Sequence, residues 1–129
     1  METATQNTVL VVEDEALVNW DVSEALRDDG LDVLQAYNGE QALAFLGKHT
    51  DIRVVFTDVN LPGAVDGLEL ADEIERRWPQ IELLMTSANR RTDCERLTYV
   101  ANFGRFVPKP YPPRAVSRRI QDIIAAHGA

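Results

Sequence analysis

The chain has 129 residues, 45% of them hydrophobic and 26% charged, a globular balance with enough apolar side chain for one real core. Its longest apolar run is Ala42 to Leu46, far short of a membrane span, and the polar residues 1–7 have no basic start or apolar centre, so no signal peptide is expected. The formal net charge of −8 argues on electrostatic grounds against a nonspecific nucleic-acid binder, and the lone Cys94, unable to form an internal disulfide, fits a cytoplasmic protein.

The first apolar run, Val9-Leu10-Val11-Val12, stops at Glu13-Asp14. Val18, Val22, Ala25 and Leu26 then fall at helical spacing and predict an amphipathic helix, ended by Asp28-Asp29-Gly30. A short strand is expected around Val33 to Ala36. Asn38-Gly39 opens a second helix with Ala42, Leu43 and Leu46 inward. The run Val54 to Thr57 stops at Asp58, and Asp66 is placed as the N-cap of a third helix carrying Leu70, Ala71, Ile74 and Trp78, stopped by Pro79. Ile81 to Thr86 runs into Ser87-Ala88. A weak fourth stripe, Cys94, Leu97 and Ala101, precedes the strand Arg105 to Pro108, which ends at Lys109-Pro110. Pro112-Pro113 introduces a last helix with Val116, Ile120, Ile123 and Ile124 inward.

Five β-α units of this kind predict a doubly wound α/β fold with a five-stranded parallel sheet, in one domain over 1–129 with its core at about 8–126. The order 2-1-3-4-5 puts the Pro108 strand at an edge, where a missing N–H is tolerated. All five run-ends then meet at the carboxyl edge, where open α/β sheets place their sites. Glu13, Asp14 and Asp58 bring three carboxylates, Ser87 a hydroxyl and Lys109 an ammonium. Converging carboxylates repel one another and favour a cation, and an oxygen-only set selects a hard one such as Mg²⁺.

The order of these motifs, with Asn60-Leu61-Pro62 after Asp58, then Asp66-Gly67 and Lys109-Pro110, resembles the receiver domain of two-component response regulators, in its stand-alone form. The resemblance spans about Thr8 to Ala126 and implies a flavodoxin-like (βα)5 fold. It implies that Asp58 is the phosphoacceptor, served by a histidine kinase or histidine phosphotransfer protein. It further implies that Asp14, Asp58 and the Asn60 carbonyl bind Mg²⁺, with Glu13 acting directly or through water. Lys109 would neutralise the transferring phosphoryl group, and the Lys109-Pro110 bond would be cis. Ser87 and Phe106 would form the switch, changing a protein-binding face built from the fourth helix, fifth strand and fifth helix. Asn89 would join Asn60 in flanking the acyl phosphate.

That face collects Arg90, Arg91, Arg105, Arg114, Arg118 and Arg119, because residues 1–75 carry 3 basic and 17 acidic side chains whereas residues 76–129 carry 10 and 4. An acidic protein partner is therefore expected, and a phosphorylation-linked homodimer is a further option. No direct nucleic-acid contact, membrane contact or enzyme activity is expected. The chain ends after the last expected helix, so output is expected through partner binding. Two departures stand out: Pro62 to Asp66 is one residue longer than the commonest receiver loop, and Tyr111 replaces the usual Phe after Lys-Pro. The rival readings are a phosphorylation-independent binding module on the same fold and a Mg²⁺-dependent phosphohydrolase. The latter needs an acid two residues after its nucleophile, where this chain has Asn60.

Overall fold

Strands whose successive side chains both meet apolar neighbours must be covered on two faces, and that is the arrangement found. The computed structural model describes residues 7–88 and 105–127. The expected fourth helix, with Cys94, Leu97 and Ala101, and the residues Asn89, Arg90 and Arg91 lie outside the described residues. The elements are β1 (Thr8–Val12), α1 (Ala16–Asp28), β2 (Asp32–Ala36), α2 (Gly39–Lys48), β3 (Ile52–Asp58), α3 (Gly67–Arg77), β4 (Glu82–Ser87), β5 (Phe106–Pro108) and a C-terminal helix, α4 (Pro113–His127).

All pairings are parallel and the order is β2-β1-β3-β4-β5, as the sequence predicts. Pro108 sits on the edge strand β5. Alternation along the strands divides the core in two. Val9, Val11, Val54, Phe56 and Leu84 pack on one face against Val22 and Leu26 of α1 and Val116, Ile120 and Ile123 of α4. Leu10, Val12 and Val55 pack on the other face against Ala42 and Leu46 of α2 and Leu70 and Ile74 of α3.

The helix ends follow local chemistry. Asn38 caps α2 by accepting from the Gln41 amide, and Asp66 with Glu69 forms a reciprocal capping box on α3. Gly30, at φ 89°, supplies the left-handed residue that ends α1. Trp78 closes α3 half-buried, with the Arg77 guanidinium 4.4 Å above its ring.

One helix departs from its predicted face. The buried residues of α1 are Asn19, Val22, Ser23 and Leu26, while Val18 and Ala25 are only half-buried. The helix is rotated so that two polar side chains face inward, which is tolerable because both are hydrogen-bonded there. Among the described residues, no helix is long and apolar enough to cross a membrane.

Candidate functional site

The carboxyl ends of β1, β3, β4 and β5 deliver the five side chains to one place. β1 stops at Val12, and the Glu13 amide turns to donate to Ala36 O at the end of β2, 3.1 Å away. Glu13 is 2% exposed. Its Oε2 accepts the Glu15 amide at 3.0 Å and its Oε1 accepts Lys109 Nζ at 2.8 Å. Asp14, the next residue, is exposed at the pocket mouth.

Asp58 ends β3 and is 5% exposed. Its Oδ1 accepts the Asn60 amide at 2.9 Å, and its Oδ2 accepts Lys109 Nζ at 2.6 Å. The backbone beyond it is held closely: Val59 N donates to Thr86 O and Gly67 N to Val59 O. Gly67 has to be glycine, since a Cβ there would collide with the Asp58 carbonyl. The loop of residues 62–66 is tied to α2, where Glu40 Oε2 accepts the Ala64 amide at 3.1 Å.

Lys109 follows β5 through a cis bond to Pro110, and its amide donates to Ser87 O at 3.1 Å. Its ammonium therefore bridges two carboxylates that lie in separate βα units. Burial works against that positive charge, but the hydrogen bonds to Asp58 and Glu13 outweigh it and hold the Lys109 pKa well above its ordinary value. Glu13 moves upward as well: burial of the carboxylate outweighs the help it receives from Lys109 and the Glu15 amide. The pocket thus sets two buried acids, Glu13 and Asp58, against one ammonium.

Carboxylate oxygens of Glu13, Asp14 and Asp58 all lie within 4.8 Å of one another. The set contains oxygen only, which suits Mg²⁺ and offers nothing to a soft metal. Asn60, expected to lend its carbonyl, is seen to donate its amide to Asp58 and its side-chain Nδ2 to Ser87 Oγ at 3.4 Å.

The two neighbouring hydroxyls separate by strand alternation. Ser87 Oγ meets Asn60 at the pocket, while Thr86 Oγ1 is buried with no hydrogen-bond partner among the described residues. Phe106, half-buried on β5, is paired in register with Met85 and packs beside Val59 and Ala71. Tyr111 takes the place of a core aromatic: its ring stands edge-on to Phe56, centroids 5.6 Å apart. Burial raises its pKa, so the phenol is neutral.

The expected basic face is less uniform than the sequence suggests. Arg105 is ion-paired with Glu82 at 2.7 Å, and Arg119 donates to Phe106 O. Arg114 and Arg118 line a groove between α4 and α1 together with Asp21, Glu24, Asp28 and Asp29. The sequence reading missed Asn19, Gln35 and Glu40. Asn19 had a visible signal, an amide inside an apolar helix stripe.

A family model described as the response regulator receiver domain matches residues 9–121. NtrC, a DNA-binding transcriptional regulator of Salmonella typhimurium, is 31% identical over 103 residues, 80% of this chain but 22% of NtrC. The chain therefore spans about a fifth of that relative's length. A chemotaxis protein CheY homolog of Campylobacter jejuni is 26% identical over 119 residues, covering 90% of this chain and 91% of the relative. The solution structure of the NtrC receiver domain superposes with a TM-score of 0.80 at 26% identity, covering 98% of this chain and 100% of that one. A CheY-like receiver domain from Methanospirillum hungatei gives a TM-score of 0.82 at 20% identity, covering 95% and 96%. The chain belongs to the response regulator receiver domain family of two-component systems.

Proposed function

We propose that this chain accepts a phosphoryl group on Asp58 and passes the signal on by a change in its protein-binding surface. The observation that carries the reading is the position of Asp58, with one oxygen on the Asn60 amide, the other on Lys109, and two further acids beside it. A carboxylate oxygen of Asp58 attacks phosphorus of a phosphohistidine on a histidine kinase or phosphotransfer protein. The new P–O bond forms as the P–N bond breaks, and the electron pair returns to the imidazole. Such transfer depends mainly on positioning and charge neutralisation.

Lys109 supplies a point charge for the phosphoryl oxygens. Two of its three N–H donors lie on Glu13 and Asp58, and the third is the one a phosphoryl oxygen would take. Glu13, Asp14 and Asp58 would hold Mg²⁺, with the Asn60 carbonyl as a further oxygen, and the ion would neutralise the remaining charge. Ser87 is the proposed reader of the phosphoryl group. Its hydroxyl already reaches the pocket, and its carbonyl accepts the Lys109 amide, so motion there is transmitted to β5 and Phe106.

The surface proposed to respond comprises residues 90–102, β5 and α4, which recognise a downstream protein. This same surface could join two copies on phosphorylation. One domain over 1–129 suffices for all of these steps. Incubation with a small phosphodonor and Mg²⁺ tests the reading by intact mass: one labile phosphate per chain is expected. Steady release of inorganic phosphate from many substrates, without a phosphorylated chain, would point to the hydrolase instead.

A further inference from the structure

The acidic pair projects from the turn after β1, beyond Val12, where the ladder of that strand with its neighbours ends. Asp14 is exposed. A buried side chain from the next helix adds a further tie to the turn. Asn19 is 0% exposed. Its Nδ2 donates to Glu13 O at 3.1 Å and to Ala36 O at 3.0 Å, while its Oδ1 accepts from Gln35 Nε2 at 2.8 Å and Ser23 Oγ at 3.1 Å.

All four hydrogen-bonding positions of the amide are filled. Its orientation is unambiguous, because the two backbone carbonyls only accept and the nitrogen must face them. Ala36 O also accepts the Glu13 amide, so one knot ties the end of β1, the end of β2 and the second turn of α1. Gln35 continues outward to Arg27, which pairs with Glu24 at the surface.

We infer that Asn19 is a positioning residue for the Glu13-Asp14 carboxylates, setting the affinity of the pocket for its divalent cation. The inference rests on the metal reading above. Outer partners that orient metal ligands characteristically change affinity by about 10- to 100-fold when removed. Asn19 acts one step further back, through the backbone that carries the ligands. Its loss therefore belongs at the lower end, about tenfold.

The test measures binding of Mg²⁺ and Mn²⁺ alone, by calorimetry, to wild type, Asn19→Ala, Gln35→Leu and Leu26→Ala. Leu26 is buried on the same helix but belongs to the hydrophobic cluster rather than the knot, and serves as a destabilised control. Asn19→Ala should bind the cation about tenfold more weakly, and Gln35→Leu, which removes one of the two donors to Asn19 Oδ1, should weaken it in the same direction. Leu26→Ala should bind as wild type does. In the cation-free protein, the Glu13 amide should exchange faster in Asn19→Ala while the amides of β3 stay protected. Should Asn19→Ala fail to fold, Gln35→Leu alone decides the matter by the same comparison. Wild-type affinity in both Asn19→Ala and Gln35→Leu, or an equal loss in Leu26→Ala, overturns the assignment. A wild-type protein that takes up neither cation overturns the metal reading itself, and the assignment with it.

Discussion

Lys109 Nζ lies 2.6 Å from Asp58 Oδ2, joining the end of the edge strand to the end of the central one. The same ammonium reaches Glu13 at 2.8 Å, so the pocket holds its own cation across two carboxylates. That arrangement ties the ends of β1, β3 and β5 together in the resting pocket. Transfer to Asp58 would bring phosphoryl oxygens within reach of the third N–H of Lys109.

Asp58→Asn should abolish labile phosphate incorporation completely while the fold is retained, because the amide keeps the shape and removes one charge from a crowded site. Intact mass after exposure to a small phosphodonor and Mg²⁺ measures this. Undiminished alkali-labile labelling of the variant would place the phosphoryl group elsewhere.

Asp14→Ala should weaken Mg²⁺ binding by at least about tenfold, roughly 1.4 kcal/mol. Glu13→Ala should weaken it less, since Glu13 already spends one oxygen on Lys109 and the other on the Glu15 amide. Titration calorimetry on the two variants gives the order directly, and the reverse order would contradict the assignment of Asp14 as the principal ligand.

Lys109→Met leaves Glu13 and Asp58 buried without their cation. Removing one member of a buried pair costs about 3–5 kcal/mol, and the low end is expected here because the pocket opens at Asp14. Denaturant unfolding at neutral pH without metal is the measurement. Millimolar Mg²⁺ should recover part of the loss, since a bound cation restores charge balance.

The pH response follows from the two raised pKa values. Lys109 is raised in the folded state, so its contribution is fully present below its ordinary value, about pH 10, and fades only as pH climbs through the folded value. Glu13 is also raised, so its favourable contribution is present below the ordinary carboxylate range, about pH 4, and lost as pH rises through its folded value. Ionisation of Glu13 above its folded value is therefore a burden. Glu13→Gln should be more stable than wild type at pH 8, with the advantage shrinking toward pH 4. Unfolding midpoints at both pH values check the sign.

Ser87→Ala should still accept phosphate at Asp58 yet lose most of the conformational response. A hydrogen bond to a charged group is worth about 1.5–3 kcal/mol, enough for roughly a ten- to hundredfold bias between two states. Amide shifts at Phe106 and along residues 113–127 on phosphorylation should be large in wild type and small in the variant. Equal shifts in both would remove Ser87 from the switch.

Much of this protein is written along the chain. The unbroken apolar runs Val9 to Val12 and Val54 to Phe56 announce strands covered on both faces, Pro108 announces an edge, and Asn38 and Asp66 announce helix starts. Each is a local signal with a fixed period or a fixed capping role, and the carboxyl ends of the strands then identify Glu13, Asp14, Asp58, Ser87 and Lys109 as neighbours. Pairwise geometry is another matter. That Lys109 chooses Glu13 and Asp58 depends on contacts 96 and 51 residues apart, which only strand register and packing decide. The inward turn of Asn19 has the same origin. An amide disfavoured in an apolar face becomes the best residue there once two carbonyls and two donors, from separate elements, surround it. Arg114 and Arg118, counted by sequence into one basic face, line the α1 groove because α1 packs beside α4. Periodicity states which face of an element is apolar; only the assembled neighbours state how a polar side chain on that face is satisfied.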